Sequence, residues 1–150
     1  MTINRRRLLK MTGLLAAGSS FGWLTKAVWA QRPAAAFDTD KMDEALQSVL
    51  AGATPVEGSI ELDAPEIAEN GAVVPITVST SLEGVESISV LVDKNPRPLI
   101  STFFILDQME PYVAVRVKMR ETSDVVAVAK TANGFYIAKK PVKVTAGGCG

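Results

Sequence analysis

After Gly52 the sequence breaks into short β-rich runs separated by turn residues, and this punctuation limits the chain to a layered, mainly β domain. The predicted strands cover residues 58–62, 73–79, 86–92, 99–106, 112–119, 124–131 and 135–144, the last with a break near Lys140-Pro141. Side chains alternate between the two faces of a strand. Val113, Val115, Val117 and Met119 therefore share one face, opposite Arg116, Lys118 and Arg120. In the same way Val126, Val128 and Lys130 stand opposite Val125, Ala127 and Ala129. Asn70-Gly71, Asn95-Pro96 and Asn133-Gly134 mark turns, and Asn133-Gly134 between two strand runs predicts a two-residue hairpin. About seven short strands in roughly 90 residues predict an immunoglobulin-like antiparallel β-sandwich. The Cys-Trp-Cys core of antibody domains is absent, so only that architecture carries over.

One short amphipathic helix is expected ahead of the sandwich. Met42, Ala45, Leu46, Val49 and Leu50 fall at helical spacing and form one apolar face. Asp38, Thr39 and Asp40 are candidate N-caps, Asp43 and Glu44 suit the positive end of the helix dipole, and Gly52 can end the helix. Residues 31–37 read as a linker, and the helix plus sandwich occupy residues 38–145.

Residues 1–30 read as an export address. Arg5-Arg6-Arg7-Leu8-Leu9-Lys10 is a charged start, and a modest apolar stretch follows from residue 11 to 24. The pair Arg5-Arg6 followed by Leu-Leu-Lys has the spacing of a twin-arginine signal. Val28-Trp29-Ala30 has a small-x-small ending, which places cleavage near Ala30. The apolar stretch is interrupted by glycines and falls short of the roughly 20 residues that span a bilayer, so no stable membrane anchor is expected. The expected location is the periplasm, reached by the twin-arginine route.

Charge and composition exclude several function classes. The chain holds 16 basic and 16 acidic residues. Five of the basic ones (Arg5, Arg6, Arg7, Lys10, Lys26) lie in residues 1–30, which contain no acid. Removing them leaves eleven basic against sixteen acidic residues, a net charge of −5 for the rest. That balance argues against nucleic acid, whose phosphates require a basic footprint. The chain has no His, which excludes a Ser-His-Asp triad, a Cys-His pair and a His-bearing metal site. Its single Cys can form neither an internal disulfide nor a thiolate cluster.

That Cys lies in the run Ala146-Gly147-Gly148-Cys149-Gly150. A segment so rich in glycine cannot pack as core, so residues 146–150 are expected to form a flexible arm with one nucleophile near its tip. Five residues reach roughly 17 Å when extended, at about 3.4 Å each. The nearest cations in sequence, Lys139, Lys140 and Lys143, lie on a strand that can carry them away from the thiol. The thiol is therefore presented rather than activated, and activation falls to a partner. An unpaired thiol in an oxidising compartment is a liability unless it is used.

Three stretches bring a family into view. Asn95-Pro96-Arg97-Pro98, Arg116-Val117-Lys118-Met119-Arg120-Glu121-Thr122-Ser123-Asp124-Val125 and Tyr136 with the run from Lys140 to Gly150 resemble the SoxY family of sulfur carriers in bacterial thiosulfate oxidation. The family ends Gly-Gly-Cys-Gly-Gly, of which this sequence shows Gly-Gly-Cys-Gly. The resemblance implies that Cys149 is the covalent attachment site for sulfur and that Gly147, Gly148 and Gly150 keep the arm slim. It implies a carrier with no catalytic residue, no metal and no bound cofactor. Haem and manganese would belong to partner enzymes: a c-type cytochrome, a manganese hydrolase and a sulfane dehydrogenase. A SoxZ-like β-sandwich protein would be the standing partner.

Two other classes compete. A ubiquitin-like sulfur carrier requires a terminal Gly-Gly and ATP, and neither agrees with Cys149-Gly150 and an export signal. A non-catalytic periplasmic assembly module could use the tail thiol to cross-link a partner. The export route has its own test. Exchanging both Arg5 and Arg6 for Lys should leave the protein in the cytoplasm, as read by fractionation. Normal export of that variant would point to the general secretory path.

Overall fold

The structure, a computed structural model, describes residues 34–145. Helix α1 (Ala34–Asp38) and helix α2 (Met42–Leu50) precede nine strands. These are β1 (Val56–Glu57), β2 (Glu61–Asp63), β3 (Ile67–Ala68), β4 (Val74–Ser79), β5 (Val85–Val92), β6 (Leu99–Phe104), β7 (Tyr112–Val117), β8 (Ser123–Thr131) and β9 (Gly134–Val144). The larger sheet has the order β1-β9-β8-β5-β6, with β3 also on β9, and the smaller one the order β2-β4-β7. This is an open immunoglobulin-like sandwich, as the strand pattern predicts.

Three layers result, because the larger sheet is covered on both faces. Ile88, Val90, Val92, Val125, Ala127 and Ala129 face Val74, Ile76 and Val78 of the smaller sheet in one core. Leu91, Leu99, Val126 and Val128 face Ala36, Ala45 and Leu50 of the helices in a second. The two registers predicted for β8 are thus both apolar because each has its own core, as expected for a strand covered on both sides. Burying each Val or Leu side chain contributes about 1.5–3 kcal/mol relative to exposure. Along β7 and the three residues after it one side is open, and the alternation is plain: Val113, Val117 and Met119 are buried while Arg116, Lys118 and Arg120 are exposed. Of the two adjacent rings, Phe103 packs against the inter-sheet core and Phe104 is exposed.

Several local expectations are corrected. The stretch 31–37 read as a linker is helical from Ala34, because Ala36 is fully buried against the second core. Helix α2 begins at Met42 with Lys41 at the N-cap and no side-chain cap. Thr39 stands too far upstream to reach the first helical amides; its hydroxyl accepts from the Lys41 N–H at 3.2 Å and donates to Glu44 at 2.7 Å. Ala51, with φ 51°, takes the left-handed position that ends the helix, and Gly52 follows it. The hairpin after β8 turns at Ala132-Asn133 rather than Asn133-Gly134, since Thr131 pairs with Gly134, whose φ is 135°. The sandwich is not wholly antiparallel: β1 and β3 both run parallel to β9.

Those two short strands also explain why Pro141 does not break β9. β1 pairs with Tyr136 and Ile137, and β3 with Lys143 and Val144. Pro141 lies in the gap between them, on an edge where no partner needs its missing N–H. Strand β9 therefore runs unbroken to the root of the C-terminal segment. Gly71 packs beneath that root. A Cβ there would stand 2.5 Å from the Met119 carbonyl oxygen and 3.0 Å from Val144 Cγ1. Backbone atoms cannot step aside, so Gly71→Ala should destabilise the domain by about 1–3 kcal/mol in urea unfolding.

Candidate functional site

The site residues singled out by the sequence, Arg5, Arg6, Gly147, Gly148, Cys149 and Gly150, lie outside the described residues. What the structure describes is the point from which the C-terminal segment departs. β9 delivers it beside the end of β5 and the start of β8, because Ser123 pairs with Val142. The last described residues are held from two sides. On one, Lys143 N–H donates to the Glu66 carbonyl at 2.9 Å and Thr145 N–H to the Ala68 carbonyl at 3.1 Å. On the other, Val144 N–H donates to Thr122 Oγ1 at 3.0 Å, and that hydroxyl donates to the Val144 carbonyl at 3.4 Å. Glu66, an acidic neighbour of Glu69 in sequence, thus contributes its backbone to the root.

A loop is clamped next to this root. The Asn95 side chain donates to the Lys118 carbonyl at 2.7 Å and accepts from the Arg120 N–H at 3.2 Å. Between those two residues, Met119 N–H donates to the Gly71 carbonyl at 2.7 Å. The result is an open cleft of about 380 Å³ lined by Asn95, Pro96, Lys118 and Arg120. Arg97 in the same loop reaches back to α1, donating to the Phe37 carbonyl at 2.8 Å.

The cations nearest to Cys149 in sequence are largely occupied. Lys139 pairs with Asp124 at 2.9 Å and Lys140 with Asp63 at 3.6 Å. The hydrogen bond to Asp124, followed by that carboxylate's charge, holds the Lys139 ammonium above the ordinary lysine range. The sequence does not connect Asn95, Lys118 and Arg120 to the C-terminal segment. Alternation places Lys118 and Arg120 on an outer face, but their nearness to Val144 depends on Gly71 and Thr122, which are remote in sequence from Val144. At the opposite end of the strands, Phe104, Leu106, Met109 and Tyr112 are exposed. Among the described residues no group of His, Cys, Asp or Glu side chains could hold a metal ion.

Thr122 is the side chain that ties the root to the body. Replacing it by Val keeps the shape and removes both bonds. Thr122→Val should cost about 1 kcal/mol and speed amide exchange at Val144 more than at Val126, as read by hydrogen exchange.

A family model described as sulfur oxidation protein SoxY matches residues 46–149, so the match ends on the only cysteine. Among solved structures, the sulfur carrier protein SoxY from Chlorobium limicola f thiosulfatophilum is similar at 40% identity and a TM-score of 0.63. That alignment covers 71% of this chain and 97% of that one. A superoxide reductase (neelaredoxin) from Ignicoccus hospitalis is similar at 18% identity and a TM-score of 0.53, covering 59% of this chain and 81% of that one. A point variant of that reductase gives the same identity and TM-score over 70% of this chain and 93% of the variant. At such identity the likeness to the reductases shows the fold alone. No curated protein matches.

Proposed function

The chain belongs to the SoxY family of sulfur carriers, and from that premise we propose that it holds thiosulfate-derived sulfur covalently on Cys149 and presents it to partner enzymes. The observation that carries the reading is a family match running through residue 149, where the chain has its only thiol. In the first step the Cys149 thiolate and the sulfane sulfur of thiosulfate form an S–S bond. The electron pair released passes to a c-type cytochrome partner. On a manganese hydrolase, water then attacks the terminal sulfonate sulfur; sulfate leaves, two protons are released, and a persulfide remains on the cysteine. A sulfane dehydrogenase takes six electrons from that sulfur and passes them to a cytochrome acceptor while three waters supply the oxygens and release six protons; a second hydrolysis then releases sulfate and restores the thiol.

This chain acts as the substrate of those enzymes and supplies none of the catalysis. Its body would bind a SoxZ-like partner, while residues 146–150 enter one active site after another. The twin-arginine signal at Arg5-Arg6 supports a periplasmic setting, with the folded domain exported before use. Gly147, Gly148 and Gly150 support a slim arm, because a side chain at those positions would thicken it.

The test is intact mass and peptide mapping of the protein from cells oxidising thiosulfate. A sulfur-containing adduct is expected on the C-terminal peptide and is absent in Cys149→Ser, which keeps its fold and partner. Mass gain of a whole protein chain would instead identify a cross-linking module. A second variant separates arm from thiol. Gly147→Val with Gly148→Val should change stability by less than about 0.5 kcal/mol and leave alkylation by a small reagent near normal. Turnover by partner enzymes should fall by on the order of 10²-fold, because the nucleophile no longer reaches its attack geometry. Unchanged turnover would overturn the arm mechanism.

A further inference from the structure

Two Asn-Gly pairs stand at turns of this chain, Asn70-Gly71 and Asn133-Gly134, and as dipeptides they are chemically alike. Asparagine is thermolabile, because the backbone nitrogen of the next residue can attack its side-chain carboxamide. Glycine in that next place has no Cβ to obstruct the approach and can take the backbone angles that ring closure requires. The fold holds the two pairs differently.

At Asn70 the reacting groups are fixed. The side-chain oxygen accepts from the Ala72 N–H at 2.9 Å, which ties the carboxamide to a residue beyond Gly71. The Asn70 carbonyl accepts from the Val73 N–H at 3.3 Å and closes the turn. Gly71 is buried, and its carbonyl accepts from the Met119 N–H at 2.7 Å. A carbon added to it would stand 2.5 Å from the Met119 carbonyl oxygen. A ring that draws the Gly71 nitrogen onto Asn70 Cγ must break these bonds and shift a residue that is close-packed on backbone.

At Asn133 the carboxamide is loose. The residue is exposed, and its side chain has no hydrogen-bond partner among the described residues. Thr131 Oγ1 accepts from the Asn133 N–H at 3.1 Å and donates to the Gly134 carbonyl at 3.2 Å, so the turn is held through its backbone alone. Gly134 has a φ of 135°, and a Cβ there would meet nothing within 4 Å. The pair closes the β8–β9 hairpin, and an exposed hairpin end opens at little cost in free energy.

We propose that Asn133-Gly134 is a deamidation site, with aspartate and isoaspartate as its products, and that the fold keeps Asn70-Gly71 unreactive. The Gly134 nitrogen, having lost its proton to hydroxide, forms a bond to Asn133 Cγ. The Cγ–Nδ2 bond breaks, the amide nitrogen leaves as ammonia, and a five-membered succinimide closes. Water then opens the ring at one of its two carbonyls. Opening at Cγ gives aspartate; opening at the backbone carbonyl gives isoaspartate, with the main chain running through Cβ and Cγ. One ammonia is released, no electrons are transferred, and either product adds one negative charge. Isoaspartate also lengthens the backbone by one atom, for which the open turn has room. β9 runs eleven residues from Gly134 to Val144, which is roughly 30 Å at about 3.3 Å each. The second, more acidic form of the chain therefore keeps the root of its C-terminal segment intact. The same reaction at Asn70 would drive Gly71 into Met119 and Val144.

The test is to incubate the full-length chain at mildly alkaline pH and map it with trypsin. Cleavage after Lys130 and Lys139 isolates Asn133 in peptide 131–139, and cleavage after Lys41 and Lys94 isolates Asn70 in peptide 42–94. Each is the only asparagine of its peptide. Unaged protein digested alongside gives the baseline. The mass increase of an amide-to-acid change should build up in peptide 131–139 as two separable products. It should do so on the order of ten- to a hundredfold faster than in peptide 42–94, the factor that breaking one or two hydrogen bonds at Asn70 imposes. In urea that unfolds the chain, the two peptides should convert at similar rates. The amide resonances of Thr131 and Gly134 should shift as the acidic form accumulates, while those of Lys143 and Val144 stay in place. Asn133→Gln, which would need a six-membered ring, should remain a single charge form. Equal rates in the folded chain, a rate difference that persists in urea, or an acidic form that builds up undiminished in Asn133→Gln would overturn the proposal.

Discussion

Everything downstream of the sandwich depends on the pairing of β9 along both of its edges. Its inner edge runs the length of β8, from Gly134 opposite Thr131 to Val142 opposite Ser123. Its outer edge is held at two separate places by β1 and β3. A terminal strand with one free edge would fray from its end, since the last residues of a domain are its least protected. Here the second edge is closed at Lys143 and Val144, the last residues of the strand. The C-terminal segment thus departs from a fixed point, and whatever reach residues 146–150 have is measured from there.

That arrangement imposes conditions on the rest of the molecule. β9 can be fixed only if β8 is, and β8 with β5 is the most deeply buried part of the larger sheet. Its two faces require two covers. The smaller sheet supplies one, and α1 with α2 the other, which is why a helix precedes the sandwich at all. Without it Leu91, Leu99, Val126 and Val128 would face water from the middle of the sheet. Gly71 and Thr122 then join the small-sheet side to the end of β9: one by close backbone approach, the other by a hydroxyl that both accepts from and donates to Val144.

The parts of this that were legible in the sequence are those governed by local periodicity. The face of α2, the alternation of Val113 to Met119 against Arg116 to Arg120, and the longer strands follow from spacing alone. Elements made by tertiary contact were not legible. β1 and β3 are two residues long, carry no period, and exist only because β9 offers an edge. α1 forms because Ala36 finds a core, not because residues 34–38 contain a strong start or stop signal. The turn after β8 sits one residue before the Asn-Gly pair because Thr131 Oγ1 accepts from the Asn133 N–H at 3.1 Å and donates to the Gly134 carbonyl at 3.2 Å. For the candidate site the asymmetry is sharper. The thiol and its glycines are conspicuous in sequence, whereas Lys118 and Arg120 read only as a solvated face until Asn95 and Gly71 bring their backbone beside the end of β9.

The distribution of ion pairs gives that end its character. A domain whose non-signal part carries a net charge of −5 has carboxylates to spare. Along β8, on the middle of β9 and at the helices its lysines and arginines are paired with them. At the end of β9 they are not. Unpaired cations set side by side repel one another and contribute nothing to stability when exposed, so packing does not explain them. Carboxylates accompany them closely, Asp93 beside Lys94, Glu121 beside Arg120 and Glu66 bonded through its backbone to Lys143, so this end of the strands carries exposed charge of both signs. Exposed charges in such a setting contribute little to stability, so the fixed departure point of the C-terminal segment rests on the backbone pairing of β9 and not on ion pairs.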